Sequence, residues 1–100
     1  MRKSILTDDL DVSYLSGLPR ECIHHVFEGN GRRKISEREG FIVPLTNAEH
    51  NMSNRGVHFN KKLDRWFKCL CQSKYEETHT REEFIKLIGR NYLDEEDDDD

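Results

Sequence analysis

Two short apolar runs separated by a glycine-bearing turn, followed by two longer stretches of helical period, set what this chain can fold into. The first run, 21–27, carries Ile23, Val26 and Phe27 and reads as a strand. Gly29-Asn30-Gly31 signals a turn directly after it. Ser36-Glu37-Arg38-Glu39-Gly40 reads as one helical turn closed by glycine, and Phe41-Ile42-Val43-Pro44-Leu45 as the second strand. Pro44 lacks a backbone N–H, which places it at an edge or at a strand end.

Asn47 is suited to cap a short helix holding Ala48, Glu49, His50, Asn51 and Met52. Gly56-Val57-His58-Phe59 makes a tight connection to a longer helix over about 61–77. There Leu63, Trp66, Phe67, Leu70 and Cys71 fall at spacings of three and four, one apolar stripe that assigns Trp66 and Phe67 to the core. Thr80-Arg81-Glu82-Glu83 is a capping box that opens a last helix. In it Phe84, Leu87 and Ile88 face inward and Gly89 stops the run. The order is strand, loop, strand, short helix, then two covering helices, without an internal repeat.

One hundred residues allow one domain with a modest core. Hydrophobic residues make up 34% and charged residues 36%, so the core is small and a bound metal would help to hold it. Residues 1–19 are expected to form a loosely structured lead-in, 20–93 the domain and 94–100 a disordered acidic tail. No apolar run approaches the roughly 20 residues that span a bilayer, and no charged-then-apolar leader opens the chain. A soluble protein of the bacterial cytoplasm, with no membrane partner, is expected. Cys22, Cys69 and Cys71 are odd in number and read as reduced thiols.

The net charge of −4 conceals a basic body. Removing the seven tail acids from the 20 acidic residues leaves 13 against 16 Lys plus Arg, about +3. The cations gather at Arg32-Arg33-Lys34 with Arg38, and again at Arg55, Lys61 and Lys62. Such clusters suit a polyanion, or stand as ordinary solvated charge.

In the same stretch of chain as those clusters lie four of the five histidines, His24, His25, His50 and His58. Imidazole either holds a divalent metal or moves a proton near neutral pH. Adjacent residues on a strand point to opposite faces, so His24 and His25 divide their labour, one ligand and one base. His50 approaches that strand from the short helix, and His58 closes the site, or only caps the helix that follows. His79 reads as an exposed linker residue, and Glu28 and Glu49 as neighbours that could orient an imidazole.

The pattern Cys22-Ile23-His24-His25-Val26-Phe27, Arg32-Arg33-Lys34, Ser36-Glu37, Gly40-Phe41-Ile42-Val43-Pro44-Leu45, His50-Asn51 and Val57-His58-Phe59-Asn60 resembles the HNH-like endonucleases of phages and prophages. It is similar to the recombination-enhancement nuclease group. Glu83-Phe84 and Gly89-Arg90-Asn91-Tyr92-Leu93 extend the resemblance, which covers roughly residues 13–93. It implies an α+β fold, a small ββα-metal core (the HNH or His-Me finger) with two additional C-terminal helices. It also implies metal-dependent hydrolysis of DNA, with His25 the general base, and His24, His50 and His58 the metal ligands. The metal would be Mg²⁺ or Mn²⁺, with Zn²⁺ or Ni²⁺ also accepted by so many histidines.

Two features depart from the family. Where many members carry Cys-x-x-Cys pairs for a structural zinc, this chain has Ser13-Tyr14-Leu15-Ser16 and Thr46-Asn47-Ala48-Glu49, so no four-cysteine zinc site is available. The middle asparagine would fall near Phe41 and is absent, so another group must orient His25. Arg32, Arg33, Lys34 and Arg55 are the expected DNA contacts, and a chain this small would act beside a larger phage or host recombination or packaging protein. The rival expectation is a catalytically inactive DNA-binding or recombination-accessory module on the same scaffold.

Overall fold

The computed structural model describes residues 2–29, 31–52 and 60–93, with backbone alone at 51 and 52. Strand β1, Cys22–His25, pairs antiparallel with strand β2, Ile42–Leu45, in the register His24 opposite Val43 and His25 opposite Ile42. Helix α1, Arg32–Glu39, lies between them in sequence. One turn of π-helix, Ala48–Met52, follows β2, and helices α2, Lys61–Tyr75, and α3, Arg81–Ile88, come after it. The fold is a small α+β arrangement of one two-stranded sheet with helices. Among the described residues no helix is long and apolar enough to cross a membrane.

Strand β2 is buried along its whole length, which a sheet of two strands permits only if something covers its outer edge. The carbonyls of Phe41 and Leu45 face β1, where they accept from Val26 N–H and Glu21 N–H. Those of Ile42 and Pro44 point the other way, and the N-terminal segment meets them. Ser4 Oγ donates to Ile42 O at 2.6 Å and Tyr14 N–H to Pro44 O at 2.8 Å. In antiparallel pairing a residue's N–H and C=O share a side, so the N–H that Pro44 lacks would have faced this outer edge. The proline therefore costs the ladder nothing. Residues 2–21 hold no helix or strand, but they form the third layer of backbone beside β2.

The core is aromatic. Phe27 meets Phe41 edge-on with centroids 5.3 Å apart, and Phe84 of α3 contacts both rings. Phe67 and Cys71 of α2 and Ile88 of α3 are buried with them. Trp66 is 45% exposed, with its ring tilted against those of Tyr14 and Phe67. The stripe expected on α2 is thus narrower than its residue types suggested. Gln72 sits in the same interior fully buried, and it ties the chain end to α2: its amide donates to Asn91 Oδ1 and its carbonyl accepts from Tyr92 N–H.

Helix ends follow local chemistry. Asn60 Oδ1 accepts from Leu63 N–H to open α2, and Thr80 and Glu83 form the full capping box of α3. The π turn is capped by Thr46 rather than Asn47, because Thr46 and Glu49 each accept the other's N–H. Helix α1 begins at Arg32, a turn earlier than the sequence suggested. Its N-cap is Gly31 in the left-handed region, with no capping side chain to announce it. Ser36 then fastens α1 to the end of β1. Its fully buried hydroxyl accepts from Phe27 N–H at 3.0 Å and donates to Phe27 O at 2.7 Å.

Ser36→Ala deletes both partners of a buried backbone unit, and orphaned buried groups cost about 1–3 kcal/mol each. Urea unfolding should show the variant destabilised by that order. Thr80→Ala, which removes only an exposed cap, should cost about 1 kcal/mol.

Candidate functional site

Strand periodicity turns the adjacent histidines to opposite faces of β1. His24 is 1% exposed and lies on the face covered by α2, with Phe67 at 5.9 Å between ring centroids. Its other ring neighbour is His50 of the π turn, edge-on at 5.1 Å and 63°. Two imidazoles bound to one cation through nitrogens about 2 Å from it, at a near-tetrahedral angle, have centroids roughly 5 Å apart. The pair therefore matches a shared divalent ion in ligand type and in centroid spacing, a spacing that an ordinary edge-on ring contact also has. Among the described residues no group of three or more His, Cys, Asp or Glu stands close enough to hold a metal. His58, the third expected ligand, and Arg55 lie outside the described residues.

His25 turns to the other face. Its Nε2 lies 2.8 Å from Glu37 Oε1, and Glu37 in turn receives Arg2 through Nε at 2.8 Å and Nη2 at 2.9 Å. The guanidinium of Arg2, and after it the bond from His25, holds the Glu37 carboxyl down to about 2. An ionised carboxylate only accepts, so His25 Nε2 is the donor and the lone pair of the neutral ring sits on Nδ1. Glu37 reaches this place because Ser36, the residue before it, is clamped to Phe27.

A cleft of about 470 Å³ opens over this group, lined by Arg2, His25, Gly31, Arg33, Lys34 and Glu37. Of the expected DNA contacts, Arg33 and Lys34 line it. Arg32 does not, because its Nε donates to Ile88 O at 3.1 Å and closes the carbonyl end of α3. The residues that sequence reasoning passed over are Arg2 and Glu37. Glu37 belongs to the motif through Ser36-Glu37, but nothing in its spacing from His25 marks it as a partner, and Arg2 lies in the segment read as loose.

The remaining candidates have structural employment. Burial pushes Glu49 upward, but hydrogen bonds led by Ser13 Oγ outweigh it and hold the carboxyl below its ordinary value. Glu49 thereby fastens the N-terminal segment to the π turn. His79 is exposed and stacks flat on Tyr75 at 4.0 Å. None of the three cysteines is in a disulfide among the described residues, and burial raises the thiols of Cys22 and Cys71.

Glu37 is more acidic folded than in an unfolded chain, so its contribution to stability is present above about pH 4.5 and fades as pH falls toward 2. Glu37→Gln should accordingly unfold at lower urea than the wild type at neutral pH. The gap should be small, because the pair is partly solvated, and should close between pH 4.5 and 2. A gap independent of pH in that window would contradict the assignment.

No protein-family model matches this chain, and no curated protein or solved structure matches it, so a functional reading rests on the residues and geometry above.

Proposed function

We propose that the protein is a metal-dependent DNA endonuclease of the HNH-like, phage or prophage type, built on a ββα-metal core. The observation that carries this reading is His25, its ring tied at Nε2 and set in a cleft lined also by the cations Arg33 and Lys34, for which no ion pair is formed among the described residues. A base beside cations is what hydrolysis of a phosphodiester requires, and a site for a neutral or cationic substrate would not be lined this way.

In this reading Arg33 and Lys34 hold the phosphate backbone. His25 Nδ1 takes the proton from the attacking water, while Nε2–H keeps its bond to Glu37. His24 and His50 hold a divalent cation, Mg²⁺ or Mn²⁺ with Zn²⁺ or Ni²⁺ as alternatives, and His58 is the further ligand. Bound there, the ion would supply charge stabilisation for the phosphate and the leaving oxygen. The strands β1 and β2 pair antiparallel and the helical turn that carries His50 follows β2, and this reading takes them as the ββα-metal core with α1 inserted between its strands.

One observation favours a second reading. His25 and the His24–His50 pair stand on opposite faces of β1, so base and candidate ligands do not converge among the described residues. A catalytically inactive DNA-binding or recombination-accessory module, with the histidine pair as a structural metal clip, has the same basic cleft.

Nicking of supercoiled plasmid with Mg²⁺, Mn²⁺, Ni²⁺, Zn²⁺ or EDTA separates the two. The endonuclease reading expects metal-dependent nicking that falls about 10²–10⁴-fold in His25→Ala, the usual worth of a general base. Salt-sensitive DNA binding without nicking in any metal supports the accessory module. In either case Arg33→Ala and Lys34→Ala should each lower the slope of log affinity against log salt by about 1.

A further inference from the structure

We propose that Glu37, itself held by Arg2 from the N-terminal segment, is the positioning residue of His25: it fixes the ring with Nε2–H toward the carboxylate and reserves Nδ1 for the proton transferred from water. The proposal rests on the reading of His25 as the base and deepens it, since no asparagine is available near Phe41 to steady the ring.

Three anchors make this contact directional. The first is the fork of Arg2, whose Nε and Nη2 take one carboxylate oxygen each and so fix the plane in which Glu37 can meet an imidazole. The second is Ser36, whose doubly bonded hydroxyl leaves the start of the Glu37 side chain little freedom relative to β1. The third is the N-terminal segment that delivers Arg2. Ser4 Oγ donates to Ile42 O and Ile5 N–H donates to Gly40 O at 2.9 Å. A Cβ at Gly40 would stand 3.0 Å from Lys3 O, and the φ of 82° there strains any residue with a side chain, so glycine favours that approach.

The arrangement is more than a fastening. Arg2 and Glu37 are 48% and 37% exposed in their side chains, and an ion pair so exposed adds little to stability. His25, by contrast, is 8% exposed in its side chain, so the direction of its ring is set by what it meets. The exposed pair thus orients a buried ring.

The test uses the full chain with Glu37→Ala, Glu37→Gln and Arg2→Ala, each checked for an intact fold by its amide spectrum. Two readouts are taken: the His25 Nε2–H proton in the NMR spectrum, and kcat and KM for plasmid nicking. A ring N–H bonded to a carboxylate is shielded from exchange with water, so the wild type should show the resonance. Glu37→Ala should lose it, and Arg2→Ala should broaden it. Under the same changes kcat should fall about 10–100-fold in Glu37→Ala with KM little altered, as for loss of a group that orients a reacting imidazole. Glu37→Gln, whose amide oxygen still accepts from Nε2–H, should recover part of the loss. A protected Nε2–H that survives in Glu37→Ala, or nicking unchanged by that substitution, overturns the proposal. If the wild type does not nick, the endonuclease reading fails by itself, and the protected proton decides whether Glu37 holds the ring.

Discussion

A strand turns successive side chains to opposite faces, and the rest of this molecule is arranged around that rule acting on His24 and His25. With only two strands, both faces of the sheet must be covered by whatever the chain can bring. Helix α2 covers the face of His24, where Phe67 and the π turn enclose the ring. The other face receives α1 and the N-terminal segment, and there His25 meets a carboxylate instead of aromatic rings. One dipeptide thus supplies a buried imidazole to an apolar compartment and another to a charged cleft. Their different chemistry follows from the pleat rather than from any difference between the residues.

What keeps the charged side in register is a short chain of neutral hydrogen bonds. Ser36 couples α1 to the end of β1 through both backbone groups of Phe27, and the neighbouring Glu37 inherits that position. Ser4 and Tyr14 close the outer edge of β2, and the same segment delivers Arg2. Because a buried unpaired group is costly, each of these contacts is selected more by what its loss would expose than by its own net gain. The exposed ion pairs around them contribute far less to holding the fold. In this molecule the neutral contacts set position and the charged ones set chemistry.

Much of this was legible in the residues. The apolar runs announced β1 and β2, Pro44 announced an edge, and Thr80 with Glu83 and Gly89 marked both ends of α3, because each of these signals is local. His24 and His50 could be brought together from a strand and a helical turn. The start of α1 was hidden because Gly31 caps it without a side chain. The cap of the π turn was misplaced by one residue because Thr46 and Asn47 are both good caps, and only the reciprocal bond with Glu49 selects between them. Trp66 was assigned inward because periodicity reports which face a residue occupies, not how far the neighbouring layer extends over it. The Arg2–Glu37–His25 chain was illegible for a different reason. Its members are 35 and 12 residues apart, and contacts made by the path of an irregular segment leave no period in the sequence.

The electrostatics of the cleft resolve a conflict built into any site that handles phosphate with a carboxylate-oriented base. A carboxylate next to the imidazole fixes its ring, yet the same charge repels the polyanion the base must serve, and in a partly desolvated cleft that repulsion is stronger than in water. Arg2 removes the conflict. By taking both oxygens of Glu37 it offsets the charge while leaving Oε1 able to accept from Nε2–H. Among the described residues Arg33 and Lys34 then remain as the charges lining the cleft that no carboxylate offsets. Replacing Glu37 by a neutral acceptor would avoid the repulsion without Arg2, but a neutral acceptor holds an N–H less firmly and less directionally than a carboxylate fixed by a guanidinium fork. The position of Arg2 in the chain is therefore no accident of packing: the irregular N-terminal segment is pinned by Ser4 and Ile5 just after the residue that makes the cleft compatible with an anion.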